Sequence, residues 1–289
     1  MQTNETKGML LGFIGVLMFS LTLPFTRIAV GELSPYFVTF GRSSLGGICA
    51  LLLFAFTKPK LPTKNQLIRL SVMALGVVYG FPLFISLAMK TLPSAHGGIV
   101  LGVLPLATAV VGALRFNERP SLAFWITAVM GSLLVITYAS LNGSGGLASE
   151  DWLLFVAIAS ASIGYSEGGK LSEEMSSIEV ISWALVLTLP INIFLTYQYI
   201  DFEISAVSSS AIISFVYVGL ISMYIAFFFW YRGIALGGVA RVGQVQLLQP
   251  FLTLVGAYFL LDEQITAMNI GFALCVLAVV VLGKRTRAK

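Results

Sequence analysis

Long apolar blocks separated by short polar breaks run from one end of this chain to the other. A membrane-spanning helix needs roughly 20 apolar residues. Windows of that size fall into ten runs, near 8–30, 35–56, 67–90, 94–116, 122–141, 152–173, 177–199, 210–234, 239–261 and 266–282. The breaks have physical causes. "FTKPKLPTK" (56–64) mixes prolines with lysines, which neither span nor stay helical. "TLPSAHGG" (91–98), "FNERPS" (116–121) and "LNGSGGLASED" (141–151) are turn-rich or charged. The pattern predicts an all-α membrane protein with ten transmembrane helices.

Composition supports the bilayer as solvent. The chain is 57% hydrophobic and only 10% charged, with a mean hydropathy of +0.93. Soluble domains sit near 45–50% apolar and about 25% charged. The net charge of +4 is therefore no nucleic-acid signal, and what matters is where the cations lie. With the N-terminus inside, the inner segments hold Lys7, Lys58, Lys60, Lys64, Arg69, Arg115, Arg119, Lys170, Arg232, Arg241, Lys284, Arg285, Arg287 and Lys289. The outer segments hold only Arg27 and Lys90. This positive-inside bias supports an even number of spans in a multi-pass cell-membrane protein with both termini cytoplasmic. The opening stretch has only Lys7 before its apolar run and no small-x-small cleavage site, so it reads as a retained first helix rather than a signal peptide.

Two stretches repeat each other. Shifted by 145 residues, the chain aligns without a gap from 79 to 118: Tyr79 meets Tyr224, Ala95 meets Ala240, Gly98 meets Gly243, Val100 meets Val245, Pro105 meets Pro250, Thr108 meets Thr253, Val110 meets Val255 and Glu118 meets Glu263. Five runs separate the copies, so the second enters the membrane from the other side. Inverted repeats of this kind mark many secondary transporters. The expectation is two inverted five-helix repeats, residues 1–145 and 146–289, joined at the Gly/Ser-rich stretch 142–149.

The repeated motifs carry a resemblance. "LPLATAVVGALRFNE" (104–118) and "QPFLTLVGAYFLLDE" (249–263), with cations closing the first helix of each half at Arg27 in "LPFTRIAV" and Lys170 in "YSEGGKLS", resemble the drug/metabolite transporter superfamily, in its EamA-type ten-helix branch. Arg42 in "YFVTFGRSSLGG" and Trp183 in "VISWALV" fit the same pattern, whereas Glu167 departs from the small or aromatic residues usual there. The resemblance covers nearly the whole chain. It implies an inner-membrane carrier that moves small metabolites, often outward, through a pocket between the halves, with amino acids as the leading substrate.

Individual residues leave alternatives open. Glu118 and Glu263 are either interfacial anchors or gating groups, and should lie near opposite faces. Pro105 and Pro250 each free a carbonyl four residues earlier, which in lipid must face protein or a wet cavity. Tyr79 and Tyr224 lie near mid-membrane and are either pocket-lining or satisfied core residues, with Ser20 and Tyr165 at similar depth. Gln246, Gln249 and Thr253 form a polar stripe around Pro250, as helix glue or as a path. Glu167 either binds a substrate amine or a proton, or pairs with Lys170. His96 is a turn residue or a proton-coupling group. Cys49 and Cys275 read as inert buried thiols.

Absences narrow the function. A single histidine excludes HExxH chemistry, no GxxxxGK[ST] loop provides an ATPase, and no Cys–His cluster suggests a metal. The expectation is a cofactor-free secondary carrier, most simply an exporter working by alternating access, with proton coupling untested and oligomeric state open between monomer and homodimer. Efflux of drug-like or toxic compounds is the alternative within carriers. A membrane-embedded enzyme or a channel is the alternative outside them.

Overall fold

The computed structural model describes residues 2–115, 122–142, 149–237 and 245–285, which fold as helices joined by short connections, with no strand among them. They are α1 (Thr6–Glu32), α2 (Pro35–Thr57), α3 (Lys64–Ala88), α4 (Ser94–Arg115), α5 (Leu122–Asn142), α6 (Ser149–Leu171), α7 (Ser177–Gln198), α8 (Ser209–Leu236), α9 (Gln246–Leu261) and α10 (Ala267–Arg285). Six of these, α1 to α4, α7 and α8, are long and apolar enough to cross a membrane. The apolar stretches of α5, α9 and α10 are shorter among the described residues, and α6 carries Glu150, Asp151, Glu167 and Lys170. This is an all-α membrane protein. Its outer surface is apolar, with Leu52 and Phe56 of α2, Leu133 of α5 and Phe259 of α9 all exposed.

The buried apolar residues form two clusters. One surrounds Leu23, Ile99, Leu104, Tyr138 and Leu154. The other surrounds Phe19, Met73, Leu185, Phe227 and Trp230. Tyr165 on α6 packs against both.

Prolines shape the helices between these clusters. Pro24 has no N–H to offer the Ser20 carbonyl. Helix α1 breaks there, after Ser20 and before Thr22, and Thr253 Oγ1 on α9 donates to the Ser20 carbonyl at 2.8 Å. Pro82 frees the Val78 carbonyl in the same way, and Ser43 Oγ on α2 donates to it at 3.2 Å. Pro105 and Pro250 are served differently. A 3-10 turn precedes each, Leu101–Val103 and Gln246–Leu248. The Leu104 N–H then reaches the Leu101 carbonyl and the Gln249 N–H reaches the Gln246 carbonyl. The freed carbonyls thus find partners in their own backbone, where the sequence suggested a neighbour or a cavity. The two 3-10 turns stand 145 positions apart, the offset of the repeat. The π-helical turn Leu75–Gly80 in α3, shifted by the same offset, falls within the π-helical turn Tyr217–Ile225 of α8.

Small residues let helix backbones touch, as membrane helices favour. A Cβ on Gly233 of α8 would lie 2.7 Å from the Gly12 nitrogen and 2.8 Å from the Gly8 carbonyl of α1. One on Gly76 of α3 would lie 2.3 Å from the Ser160 carbonyl of α6. Gly76→Val should therefore force α3 from α6 and destabilise the protein by about 2 kcal/mol, a typical overpacking cost. Thermal unfolding in detergent tests this, and an unshifted transition contradicts the close seam. The two cysteines are free: Cys49 is half-buried, but Cys275 is exposed rather than buried, because it lies on the outer side of α10.

Candidate functional site

One end of the bundle is closed around Glu263. Helix α9 stops at Asp262, which takes the left-handed conformation (φ 52°), and the Glu263 N–H folds back to the Ala257 carbonyl at 3.2 Å. That is a common way to end a helix. It delivers the Glu263 carboxylate to the start of α4, whose N-cap, Pro93, provides no side-chain acceptor. The Ser94 and Ala95 N–H groups donate to Oε1 and Oε2, each at 2.8 Å. These are orphan donors at the positive end of a helix, where an anion is favoured. Arg27 Nε lies 3.5 Å from Oε1, while its Nη1 donates to the Met89 and Leu92 carbonyls. Nearby, the buried His96 Nε2 lies 2.7 Å from Asp151 Oδ1, and its ring stacks on Tyr138.

The other end is closed around Glu167. Its side chain is almost fully buried, a costly position for a carboxylate unless it is paired. Arg69 Nε of α3 donates to Oε2 at 3.0 Å and Arg115 Nε of α4 to Oε1 at 2.7 Å. Arg69 also reaches Glu174 at 2.7 Å. Lys170 is not the partner. It is exposed and pairs with Glu173 at 2.6 Å, since a lysine three residues on can turn to water while Glu167 points inward. Ser94 and Arg115 are the two ends of α4, a 22-residue helix, so the two closures lie about 30 Å apart.

Between them is a narrow crevice. Leu23 of α1, Gly98, Leu101 and Pro105 of α4, and Gln246, Gln249, Pro250 and Thr253 of α9 line about 240 Å³ of empty space, nowhere wide enough to hold a water molecule. The structure thus gathers four of the sequence-derived pocket candidates, Pro105, Gln246, Gln249 and Pro250. It sets Ser20 beside them through the Thr253 hydrogen bond. Thr253→Val should leave the Ser20 carbonyl unsatisfied and cost about 1–3 kcal/mol, whereas Thr253→Ser should keep the bond. Equal unfolding temperatures for the two variants would refute that role.

The remaining candidates lie elsewhere. The Tyr224 hydroxyl is 2.9 Å from Ser182 Oγ of α7, a satisfied core position. Tyr79 packs beside Phe40, and its hydroxyl lies beside Thr188 of α7. Tyr165 packs against Phe19 and Phe227. Glu118 lies outside the described residues. Sequence reasoning missed Arg69 and Arg115 as the partners of Glu167, and Asp151 as the partner of His96. Each pair is separated by at least 50 residues, and only an acid buried within an apolar run hinted at such a need.

Residues 6–138 and 148–283 match the EamA-like transporter family. The chain belongs to that family. It is 46% identical over 279 residues to the transporter YdeK of Bacillus subtilis (strain 168), covering 95% of this chain and 97% of that one. It is 24% identical to the "Aromatic amino acid exporter YddG" of Ancylobacter novellus, covering 86% and 87%. It is 26% identical to a "Probable amino-acid metabolite efflux pump" of Salmonella typhimurium, covering 94% and 93%. A solved crystal structure superposes with a TM-score of 0.64 at 21% identity, over 97% of this chain and 98% of that one, which establishes a shared fold. This EamA-family chain is a multi-pass membrane transporter and not an enzyme.

Proposed function

We propose that the chain is a secondary carrier that exports small metabolites, amino acids first among them, by alternating access between halves 1–145 and 146–289. In this reading ten helices span an inner membrane with both termini cytoplasmic, and the second half is inverted relative to the first. One observation carries it. Glu167 and Glu263 both belong to the second half, and each holds residues of the first half, at opposite ends of α4. A carrier needs two such closures, opened in turn, around a site reachable from either side. The matched 3-10 and π-helical turns at the repeat offset support the inverted pairing. The names of the relatives support amino acids and the outward direction.

Purified protein in liposomes tests the reading. Saturable flux of labelled amino acids is expected. Saturable flux of drug-like compounds alone would favour the efflux alternative, and unsaturable ion conductance would favour a channel. Equal rates with and without a pH gradient would remove proton coupling.

A further inference from the structure

The guanidinium of Arg42 is the least satisfied buried charged group among the described residues. Arg42 sits seven residues into α2, about 10 Å along the axis from its Pro35 end. It is only 2% exposed. Nη2 donates to Ser222 Oγ at 3.0 Å, and Ser222 Oγ lies 2.7 Å from Thr22 Oγ1. Nε and Nη1 are buried with no partner among the described residues, and no ion pair recorded there involves Arg42. An arginine cannot shed its proton to escape this position. A charge at membrane depth is expensive, and where it persists it faces a partner or a pathway.

The surroundings are built for a small anion. Thr22 follows the break at Leu21 in α1, and Ser222 lies in the π-helical turn of α8. One turn beyond Thr22, the buried Thr26 hydroxyl also has no partner among the described residues. Tyr165, which packs against both core clusters, lies close to Arg42 as a neutral phenol. Leu23, the residue after Thr22 on α1, lines the crevice with Gln246 and Gln249. Irregular helices at depth are where carriers hold their substrates.

We infer that Arg42, with Thr22 and Ser222, binds the carboxylate of the transported metabolite. A planar guanidinium fork matches a carboxylate and strengthens in a dry site. The inference rests on the carrier reading and sharpens it. The acids Glu167, Glu263 and Asp151 are each paired near the helix ends, so among the described residues none of these carboxylates is free to anchor the substrate amine. Recognition then follows the carboxylate, and an amino acid and its deaminated 2-oxo acid compete for one site.

The test uses the full chain in liposomes with labelled L-leucine and L-phenylalanine as probes. The competitors are their 2-oxo acids, their carboxamides and their decarboxylated amines. Acids and 2-oxo acids should compete, whereas amides and amines should not. Arg42→Gln should lose carboxylate flux, and Arg42→Lys, which keeps the charge but not the fork, should raise the half-saturating concentration about tenfold. The competition arm needs no variant, so a misfolded Arg42→Gln leaves it intact. Amides or amines that compete as well as acids, or unaltered saturation in Arg42→Lys, would overturn the inference and leave the carrier reading standing. Liposomes that move no acid, amide or amine would overturn both.

Discussion

Glu167→Ala should destabilise the protein by about 3 kcal/mol, the lower end for breaking a buried ion pair, because Arg115 is half exposed and water takes over part of its charge. The substitution leaves Arg69, only 13% exposed at its side chain, facing a hole beside the seam of α3 and α6. The three helices that meet at this carboxylate, α3, α4 and α6, lose their shared tie. Transport should suffer as well, because that end of the bundle no longer closes firmly. Glu167→Gln should fall between, since an amide can accept one arginine N–H but carries no charge. Chemical unfolding of purified protein, read beside flux in liposomes, measures both effects. An alanine variant with wild-type unfolding and wild-type flux would strip this group of any closing role.

Glu263→Ala is expected to cost about 2 kcal/mol, since two helix-start N–H groups lose charge-assisted partners and Arg27 loses its counter-ion. The more telling readout is access. With Cys49 and Cys275 replaced by serine, a cysteine at Gln249 should react slowly with a membrane-impermeant reagent, because the crevice is too narrow for water. Adding Glu263→Ala should speed that labelling from the Ser94 end of α4. Unaltered labelling would mean that Glu263 caps α4 without sealing anything. Glu263→Asp, whose carboxylate is shorter by one methylene, should lie between the two.

Much of the fold was legible because lipid enforces simple rules. Run lengths near 20 residues and the Pro/Lys-rich break at 56–64 placed the ends of α1 to α8 within a few residues, and the 145-residue offset recurs in the 3-10 turns. The stripe Gln246, Gln249 and Thr253 was legible too, because helical spacing puts those residues on one face. The ionic closures were not. Whether Glu167 meets Lys170, three residues away, or Arg69 and Arg115 depends on how distant helices pack. Local spacing favoured the wrong partner because it ignores which side of the helix faces water. Tyr79 and Tyr224 align in sequence, yet their hydroxyls meet different residues of α7, Thr188 beside Tyr79 and Ser182 at Tyr224.

The glycine seams constrain how such a molecule can breathe. Gly233 locks α8 against Gly8 and Gly12 of α1, and Gly76 locks α3 against α6, so the tightest backbone contacts join early helices to late ones, across the boundary that the proposed halves 1–145 and 146–289 would share. A clean hinge along that boundary would have to pull main chain from main chain. Bending within helices is the softer route, at the interruption of α1 near Leu21 and at the widened turns of α3 and α8, where the regular ladder is already loosened.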